Sequence, residues 1–347
     1  AGAVTKANSG AAVNIQTPSL TINAGSVGDK GSYVGIDLAA GGALNITSRG
    51  DVFVEELFGD MIVGVVSAAG SAVFLTADRS VKAQSAAGAA DIIAGSITLI
   101  SRNGSIGTSN QYLDIDSSAG GEGIVNAQCN GGIYLRETNK DMTAGLMQSG
   151  EVCLKSAGGI TSGACNQIIA AKLTIEAQFV GAAQKPLQTA IGFINATAAG
   201  GSVYISNTGD LVIGSISSPQ TVGITASGYL AGNGPSSIAA DTFIFEATRV
   251  GTVSAPFKTA VRNIQGNAGS GAIFIDNTGA LTVVLLQTSA ELHLNNSGGI
   301  ASGNAPVNIV APRFLFTAGA DVGTRQNPLK TNTSYVSGRG SGSAYIS

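Results

Sequence analysis

A strand-and-turn pattern that returns along the chain restricts the possible folds more than any other sequence feature. Val203–Leu211 reads VYISNTGDL and Ile273–Leu281 reads IFIDNTGAL, so alternating apolar residues and a glycine turn recur seventy residues apart. Such period-2 triplets predict short β-strands rather than helices. A single strand of this kind cannot bury its apolar side, whereas a stack of equivalent strands buries a continuous core.

The spacing of these triplets predicts a solenoid. From Ile133 onward, the gaps between their first residues repeat as 19, then 21 or 22, then 30 residues. If each gap is one coil, the chain is a right-handed parallel β-helix of about 14 coils, grouped in three-coil super-repeats of 70–77 residues. We expect residues 1–347 to form a single continuous segment of this solenoid. The inward positions are expected to include Leu173, Ile175, Val203, Ile205, Ile273, Ile275, Phe314 and Phe316.

The longest unit of each super-repeat carries a motif of its own, Val-Gly followed by four residues and then Pro, an apolar residue, any residue and Thr. We expect its additional residues to form a lateral protrusion, with the prolines at strand starts or outside the sheet, aligned on one side every third coil. Two earlier copies keep only the start of the motif, at Val27-Gly28 and Ile106-Gly107. The residues of the three full copies are Val180, Gly181, Pro186, Leu187, Thr189; Val250, Gly251, Pro256, Phe257, Thr259; and Val322, Gly323, Pro328, Leu329, Thr331.

Composition narrows the class of protein. The chain has 44% hydrophobic residues and a net charge of −3, which excludes a disordered chain and predicts no basic surface for nucleic acid. No apolar window is long enough to predict a transmembrane segment.

The cysteines are too few for a disulfide framework, although a bridge between Cys129 and Cys165 is left open. Neither terminus contains a recognisable solenoid cap, so we expect the solenoid either to continue or to pair with copies of itself.

Few residues suggest catalysis, and we predict no catalytic, cofactor-binding or metal-binding residues. Asp114 and Asp116 are the one close pair of aspartates, and we interpret them as part of a solvated outer face. His293 is the only histidine, so an ordinary histidine-based metal site cannot form. Arg49-Gly50-Asp51 matches a cell-adhesion tripeptide, but it is interpreted as one more corner of the repeat.

Several phrases resemble the filamentous-haemagglutinin-type proteins, which are long, secreted bacterial surface proteins. The resemblance rests on glycine-rich strand phrases such as Gly201–Ser206, Ser96–Ser101 and Gly298–Gly303, and on Val322-Gly323 followed by Asn327–Thr331. It covers the chain from about Leu20 onward and is specific for architecture. It implies a right-handed parallel β-helix that works in adhesion, biofilm cohesion or extracellular fibre formation.

These observations together predict a non-enzymatic extracellular structural protein, either an adhesin shaft or a subunit of a fibre or sheath. Its partners are expected to be further copies of itself, in head-to-tail or lateral assembly, and glycans or proteins of host or neighbouring cells. The alternative is a β-helix polysaccharide lyase or hydrolase that acts on acidic glycans, because such enzymes share the architecture.

Overall fold

The chain is a parallel β-solenoid. A computed structural model describes residues 2–6, 12–85, 88–120, 123–163, 167–235 and 237–347. These residues form strands, turns and bends, and no helix occurs among them. The ladders between these strands are parallel, and the strands stack in about 15 turns. The all-β, parallel solenoid predicted from the triplets is therefore confirmed.

The solenoid divides into two compact units, unit 1 (Ala1–Gln178) and unit 2 (Phe179–Ser347). The strands of unit 1 are β1 (Ile15–Thr17), β2 (Leu20–Ala24), β3 (Val34–Leu38), β4 (Ala43–Ser48), β5 (Val52–Glu56), β6 (Met61–Ala77), β7 (Val81–Ala83), β8 (Ile92–Ser101), β9 (Leu113–Asp116), β10 (Ile124–Cys129), β11 (Gly132–Glu137), β12 (Met142–Gln148), β13 (Glu151–Ser156), β14 (Ile160–Ser162) and β15 (Ile168–Ala177).

The strands of unit 2 follow the same plan. They are β16 (Leu187–Ala198), β17 (Val203–Asn207), β18 (Leu211–Ser217), β19 (Thr221–Ala226), β20 (Leu230–Gly232), β21 (Ile238–Glu246), β22 (Phe257–Asn267), β23 (Ile273–Asn277), β24 (Leu281–Gln287), β25 (Glu291–Asn296), β26 (Ile300–Ser302), β27 (Ile309–Val310), β28 (Arg313–Ala318), β29 (Thr331–Asn332) and β30 (Tyr335–Gly340).

The core of unit 1 contains two columns of buried apolar residues, in which each residue pairs with its equivalent one turn on. Because parallel strands place equivalent side chains above one another, each column is continuous and its members are fully buried. Ladder 1 passes through Val27, Val52, Val73, Ile97 and Val125. Ladder 2 passes through Val81, Ile106, Ile133, Val152 and Leu173.

Unit 2 has the corresponding pair of columns. Ladder 3 passes through Val180, Val203, Val222, Phe243, Ile264 and Val283. Ladder 4 passes through Leu211, Leu230, Val250, Ile273, Leu292 and Phe314, and it ends at Val336, which is 38% exposed. The eight inward positions predicted from the sequence are all buried, with at most 7% of any side chain exposed, so this prediction is confirmed.

The prediction that each super-repeat contains three coils is wrong, as the strand register shows. Three turns lead from Val180 to Phe243 along ladder 3, and the next strand position of the motif, Val250, then lies on ladder 4. Three turns along ladder 4 lead from Val250 to Phe314. The next copy of the motif, Val322, pairs with Ile300 of β26. Because β26 pairs with β24, which carries the last residue of ladder 3, Val322 lies on the side of ladder 3. The seventy-residue repeat therefore spans three and a half turns.

Unit 1 obeys the same rule. Three turns carry Val27 to Ile97 on ladder 1, and Ile106, the next copy of the motif, lies on ladder 2. The 30-residue gaps are thus one and a half turns rather than one long coil. The predicted protrusion is present but short, because Val180 and Leu187, seven residues apart, pair with Val203 and Ile205, which are only two apart. Successive copies of the motif alternate between two ladders, and the prediction that Pro186, Pro256 and Pro328 align on one side is wrong.

Candidate functional site

The glycine of the repeated motif has the same geometry in all five copies. Its φ angle is +65° at Gly28, +66° at Gly107, +59° at Gly181, +62° at Gly251 and +62° at Gly323. A Cβ atom at any of the five would lie 2.4–2.5 Å from a backbone carbonyl oxygen one turn on. In each case that oxygen belongs to an aromatic residue: Phe53, Tyr134, Tyr204, Phe274 and Tyr345. Both the φ angle and the close approach therefore require glycine.

The four residues after this glycine form a tight turn. Ala182 and Lys185 exchange two backbone hydrogen bonds of 3.0 Å each, and Thr252 and Ala255 do the same at 3.0 and 3.2 Å. The proline then directly precedes a strand, because β16 begins at Leu187 and β22 at Phe257. The prolines thus lie outside the ladders, as predicted, because proline has no N–H to donate.

In two copies of the motif, the threonine is buried against a corner one turn on. Thr189 Oγ1 donates to Asn207 Oδ1 at 2.9 Å, and Thr259 Oγ1 donates to Asn277 Oδ1 at 2.8 Å. The triplet pattern does not predict this pairing, although both copies show the same 18-residue spacing between threonine and asparagine. In the last copy, Thr331 Oγ1 donates to the Ser347 carbonyl oxygen instead. The motif therefore holds adjacent turns together.

The prediction that the two aspartates face solvent is only half correct. Asp114 is 2% exposed and accepts two hydrogen bonds from Arg136, at 2.7 Å from Nε and a shorter one from Nη2. Asp116 accepts hydrogen bonds from the backbone N–H and the hydroxyl of Ser118 instead. The solvated-face interpretation is therefore wrong for Asp114, because Arg136 in the next turn covers it.

A row of ionisable side chains, here called the charged row, crosses one surface of unit 1. It consists of Asp114, Arg136, Lys155 and Glu176, which pair in register across β9, β11, β13 and β15. Lys155 Nζ lies 2.9 Å from Glu176 Oε2, so each cation of the row has an anionic partner. Because these charges neutralise one another, the row is poorly suited to general acid–base chemistry.

Tyrosines lie alongside the charged row. Tyr134 donates its hydroxyl to Glu151 Oε2 at 2.7 Å, and the other oxygen of that carboxylate accepts from Lys172 Nζ, also at 2.7 Å. The hydrogen bonds from Lys172 and Tyr134 lower the pKa of Glu151. Burial raises the pKa of Tyr112 to about 12. Rings beside paired charges suit contact with a polar partner surface better than proton transfer near neutral pH.

The other residues considered for chemistry have structural surroundings. The His293 ring lies 4.5 Å from the Phe274 ring, and its Nε2 is 3.1 Å from Glu291 Oε2. Arg49-Gly50-Asp51 forms a corner before β5, and Asp51 Oδ1 accepts the Ala72 N–H at 2.9 Å. Burial raises the pKa of the Cys129 thiol, which keeps it protonated, whereas Cys165 lies outside the described residues.

A groove of about 1270 Å³ crosses several turns of unit 2. Its lining consists mainly of alanine, glycine, serine and threonine, with one or a few small residues from each turn. Asp241 and Arg262 lie at the groove as an ion pair, with 3.5 Å between Oδ1 and Nη1. Within the described ranges, no three His, Cys, Asp or Glu side chains are arranged to hold a metal ion.

The fold defines the class to which this chain belongs, the parallel β-solenoid repeat proteins. Neither a family model, nor a curated protein, nor a solved structure shows a significant match to the chain. Over the part of the chain that the structure describes, no helix is long and apolar enough to cross a membrane.

Proposed function

We propose that this chain is a structural segment of a secreted bacterial surface protein, with no catalytic role. It would form part of an adhesin shaft or of an extracellular fibre or sheath. Other copies of the chain are its proposed partners, in head-to-tail or lateral assembly, together with glycans or proteins on neighbouring or host cells. The resemblance to filamentous-haemagglutinin-type proteins supports this assignment.

The observation that carries the proposal is the contrast between buried and exposed parts of the repeat. The motif glycine, the aromatic residue above it and the buried threonine all serve contacts between turns. The second residue of the tight turn, in contrast, is exposed and differs in every copy: Lys30, Ser109, Ala183, Val253 and Arg325. A repeat that keeps its packing and varies its surface fits a scaffold whose purpose is length and rigidity.

A second candidate function is that of a polysaccharide lyase or hydrolase that acts on acidic glycans, and the two cations of the charged row are the observation in its favour. Arg136 and Lys155 lie on adjacent strands beside Tyr112 and Tyr134, and such groups bind acidic sugars. Their pairing with Asp114 and Glu176 argues against catalysis, because a substrate carboxylate would first have to displace a protein carboxylate.

One experiment separates the two functions. The purified chain is incubated with polygalacturonate and other acidic glycans, and unsaturated products and new reducing ends are followed over time. We expect no turnover above that of an Arg136→Gln control. Turnover that this substitution abolishes would establish the enzyme and remove the structural proposal.

A positive test of the structural role uses the length of the chain. The chain is displayed on a bacterial surface between a membrane anchor and an epitope, and electron microscopy measures the distance from the epitope to the membrane. Removal of residues 203–272, one repeat, is expected to shorten that distance. An unchanged distance would contradict a role as a spacer.

A further inference from the structure

One strand of the repeat ends in a buried polar residue, and the type of that residue differs between unit 1 and unit 2. The strands β5, β11, β17 and β23 are copies of one another, and they end in Glu56, Glu137, Asn207 and Asn277. All four side chains are buried, with exposures of 0%, 0%, 3% and 3%. Unit 1 thus places glutamates where unit 2 has asparagines.

The four side chains accept the same hydrogen bond. Glu56 Oε2 accepts the Leu38 N–H at 3.1 Å, and Glu137 Oε2 accepts the Ser117 N–H at 3.0 Å. Asn207 Oδ1 and Asn277 Oδ1 accept the N–H groups of Ile191 and Val261, both at 3.0 Å. Each donor lies two residues beyond the register partner in the previous turn. The corners are therefore equivalent in geometry and different in chemistry.

The asparagines are also satisfied as donors. Asn207 Nδ2 donates to the Ile191 carbonyl oxygen and Asn277 Nδ2 to the Val261 carbonyl oxygen, both at 3.2 Å. An ionised glutamate cannot donate, and its charge is costly to bury without a cation. Neither Glu56 nor Glu137 forms an ion pair within the described residues.

The charged groups around Glu56 do not offset that cost. Asp37 on β3 faces it with a like charge, and the neighbouring Glu55 is paired with Arg102. Asp60 in the same corner is paired with Lys82, and Asp78 beyond β6 accepts a hydrogen bond from Asn103. Burial, assisted by Asp37, raises the pKa of Glu56 to about 7.

The surroundings of Glu137 are similar. Asp116 on β9 acts on it with a like charge, whereas Arg136 is engaged by Asp114 and Lys155 on β13 by Glu176. In the corner itself, Lys140 is exposed and Asp141 accepts the Gly159 N–H. Burial is the main cause that raises the pKa of Glu137, against the hydrogen bonds from Ser117 and Asn139 that lower it.

We propose that Glu56 and Glu137 make the corners of unit 1 acid-stabilised, so that these turns open more readily as the pH rises from mild acid to neutrality. The corners of unit 2, built on Asn207 and Asn277, hold equally well across that range. A carboxyl whose pKa is higher in the folded state contributes stability below its unfolded pKa. That contribution is lost as the pH rises through the folded value.

Hydrogen exchange of the full chain tests this proposal at individual corners. We expect the protection factors of the Leu38 and Phe58 amides to fall by about tenfold or more between about pH 5 and about pH 8, after correction for intrinsic exchange. That of the Ser117 amide should fall in the same direction. Those of Ile191 and Val261 should stay unchanged. Equal pH dependence at both sets of corners would overturn the proposal.

Substitutions test the cause. The double variant Glu56→Gln/Glu137→Gln keeps the size and the acceptor of each corner without a charge, and it should remove the pH dependence. Asn207→Asp/Asn277→Asp should install such a dependence in unit 2. Asp91→Asn is the control for the Glu56 corner, because burial raises the pKa of Asp91 to about 6 while its carboxylate accepts the Asp114 N–H on β9, and it should leave the Leu38 response intact.

The results of these substitutions can contradict the proposal in two ways. A glutamine variant that folds and still shows the pH dependence would overturn the proposal. If that variant does not fold, the unsubstituted chain and the aspartate variant decide: a flat response at Ile191 and Val261 in the aspartate variant would refute the role of a buried carboxyl.

Discussion

Gly181 combines two constraints that a single methyl group would violate. Its φ of +59° lies in the left-handed region, and an added Cβ would lie 2.4 Å from the Tyr204 carbonyl oxygen. We expect Gly181→Ala to lower the free energy of unfolding by about 3 kcal/mol or more, because the backbone strain and a forced shift of β17 add up. Denaturant unfolding followed by circular dichroism measures this loss.

Gly209 provides the matched control for that prediction. Its φ is +95°, but nothing lies within 4 Å of the position that a Cβ would take. Gly209→Ala should therefore cost only the backbone strain, about 1–2 kcal/mol. Equal losses for Gly181→Ala and Gly209→Ala would show that the approach of Tyr204 contributes nothing.

Single residues are predictable from sequence where their role depends on alternation along one strand. Alternation predicts that Leu173, Val203 and Ile273 point inward, and all three are buried. It does not predict the burial of Asp114, which depends on Arg136, 22 residues later in the chain. Contacts between turns depend on register, and the triplets alone do not supply the register.

At the scale of strands, the Asp114–Arg136 pair should behave as a coupled unit. Arg136→Gln should cost about 2–4 kcal/mol, because it leaves the Asp114 carboxylate buried and unpaired. Asp114→Asn should cost about 1 kcal/mol, because Arg136 is one-third exposed and retains contact with water. A double-mutant cycle on the free energy of unfolding measures the coupling, which we expect to exceed about 1 kcal/mol.

Lys155→Gln is the control in the same charged row. Its partner Glu176 is 57% exposed, so removal of this ion pair should cost less than about 1 kcal/mol. A loss at Lys155 equal to that at Arg136 would mean that burial of the carboxylate does not determine the cost.

The repeat itself can be removed as a unit. Deletion of residues 203–272 joins Ser202 to Ile273 and gives a strand of the same pattern, so we expect a folded protein with a β-type circular dichroism spectrum. Deletion of residues 204–272 leaves one additional residue in the strand, which reverses the inward and outward positions. That variant should aggregate or unfold, and equal behaviour of the two would contradict the register.

The spacing of the triplets predicts the length of the repeat correctly but not its number of turns. Because copies seventy residues apart look identical, the 30-residue gap from Phe243 to Ile273 suggests one long coil. In the structure, Ile264 on ladder 3 lies between them, before the chain reaches Ile273 on ladder 4. The two sides of each turn use the same apolar triplets, so composition alone cannot assign a triplet to a side.

At the scale of the whole molecule, pH should act mainly on unit 1. Glu56, Asp91 and Glu137, whose pKa values burial raises, all lie in that unit. Because a raised carboxyl pKa favours folding below about pH 4.5, unit 1 should lose stability as the pH rises through about 6 to 7. Limited proteolysis in increasing urea, with the cleavage sites mapped to each unit, measures the change.

The combination of Glu56→Gln, Asp91→Asn and Glu137→Gln should make the resistance of unit 1 independent of pH. A urea midpoint for unit 1 that rises towards neutral pH in the unsubstituted chain would contradict the expected direction. The sequence could not predict this behaviour, because Glu56 and Glu137 look like ordinary surface glutamates until the register places them in a corner.

Because each repeat spans three and a half turns, the side on which a loop lies depends on whether an odd or an even number of repeats precedes it. Within unit 2, one copy more or less turns every later loop to the opposite side, whereas two copies restore the original side. Val180 and Val322 share a side because two repeats separate them, and Val250 lies on the other. A solenoid of this kind that gains or loses repeats in evolution would therefore change which of its loops face a common partner, even though every individual loop keeps its sequence.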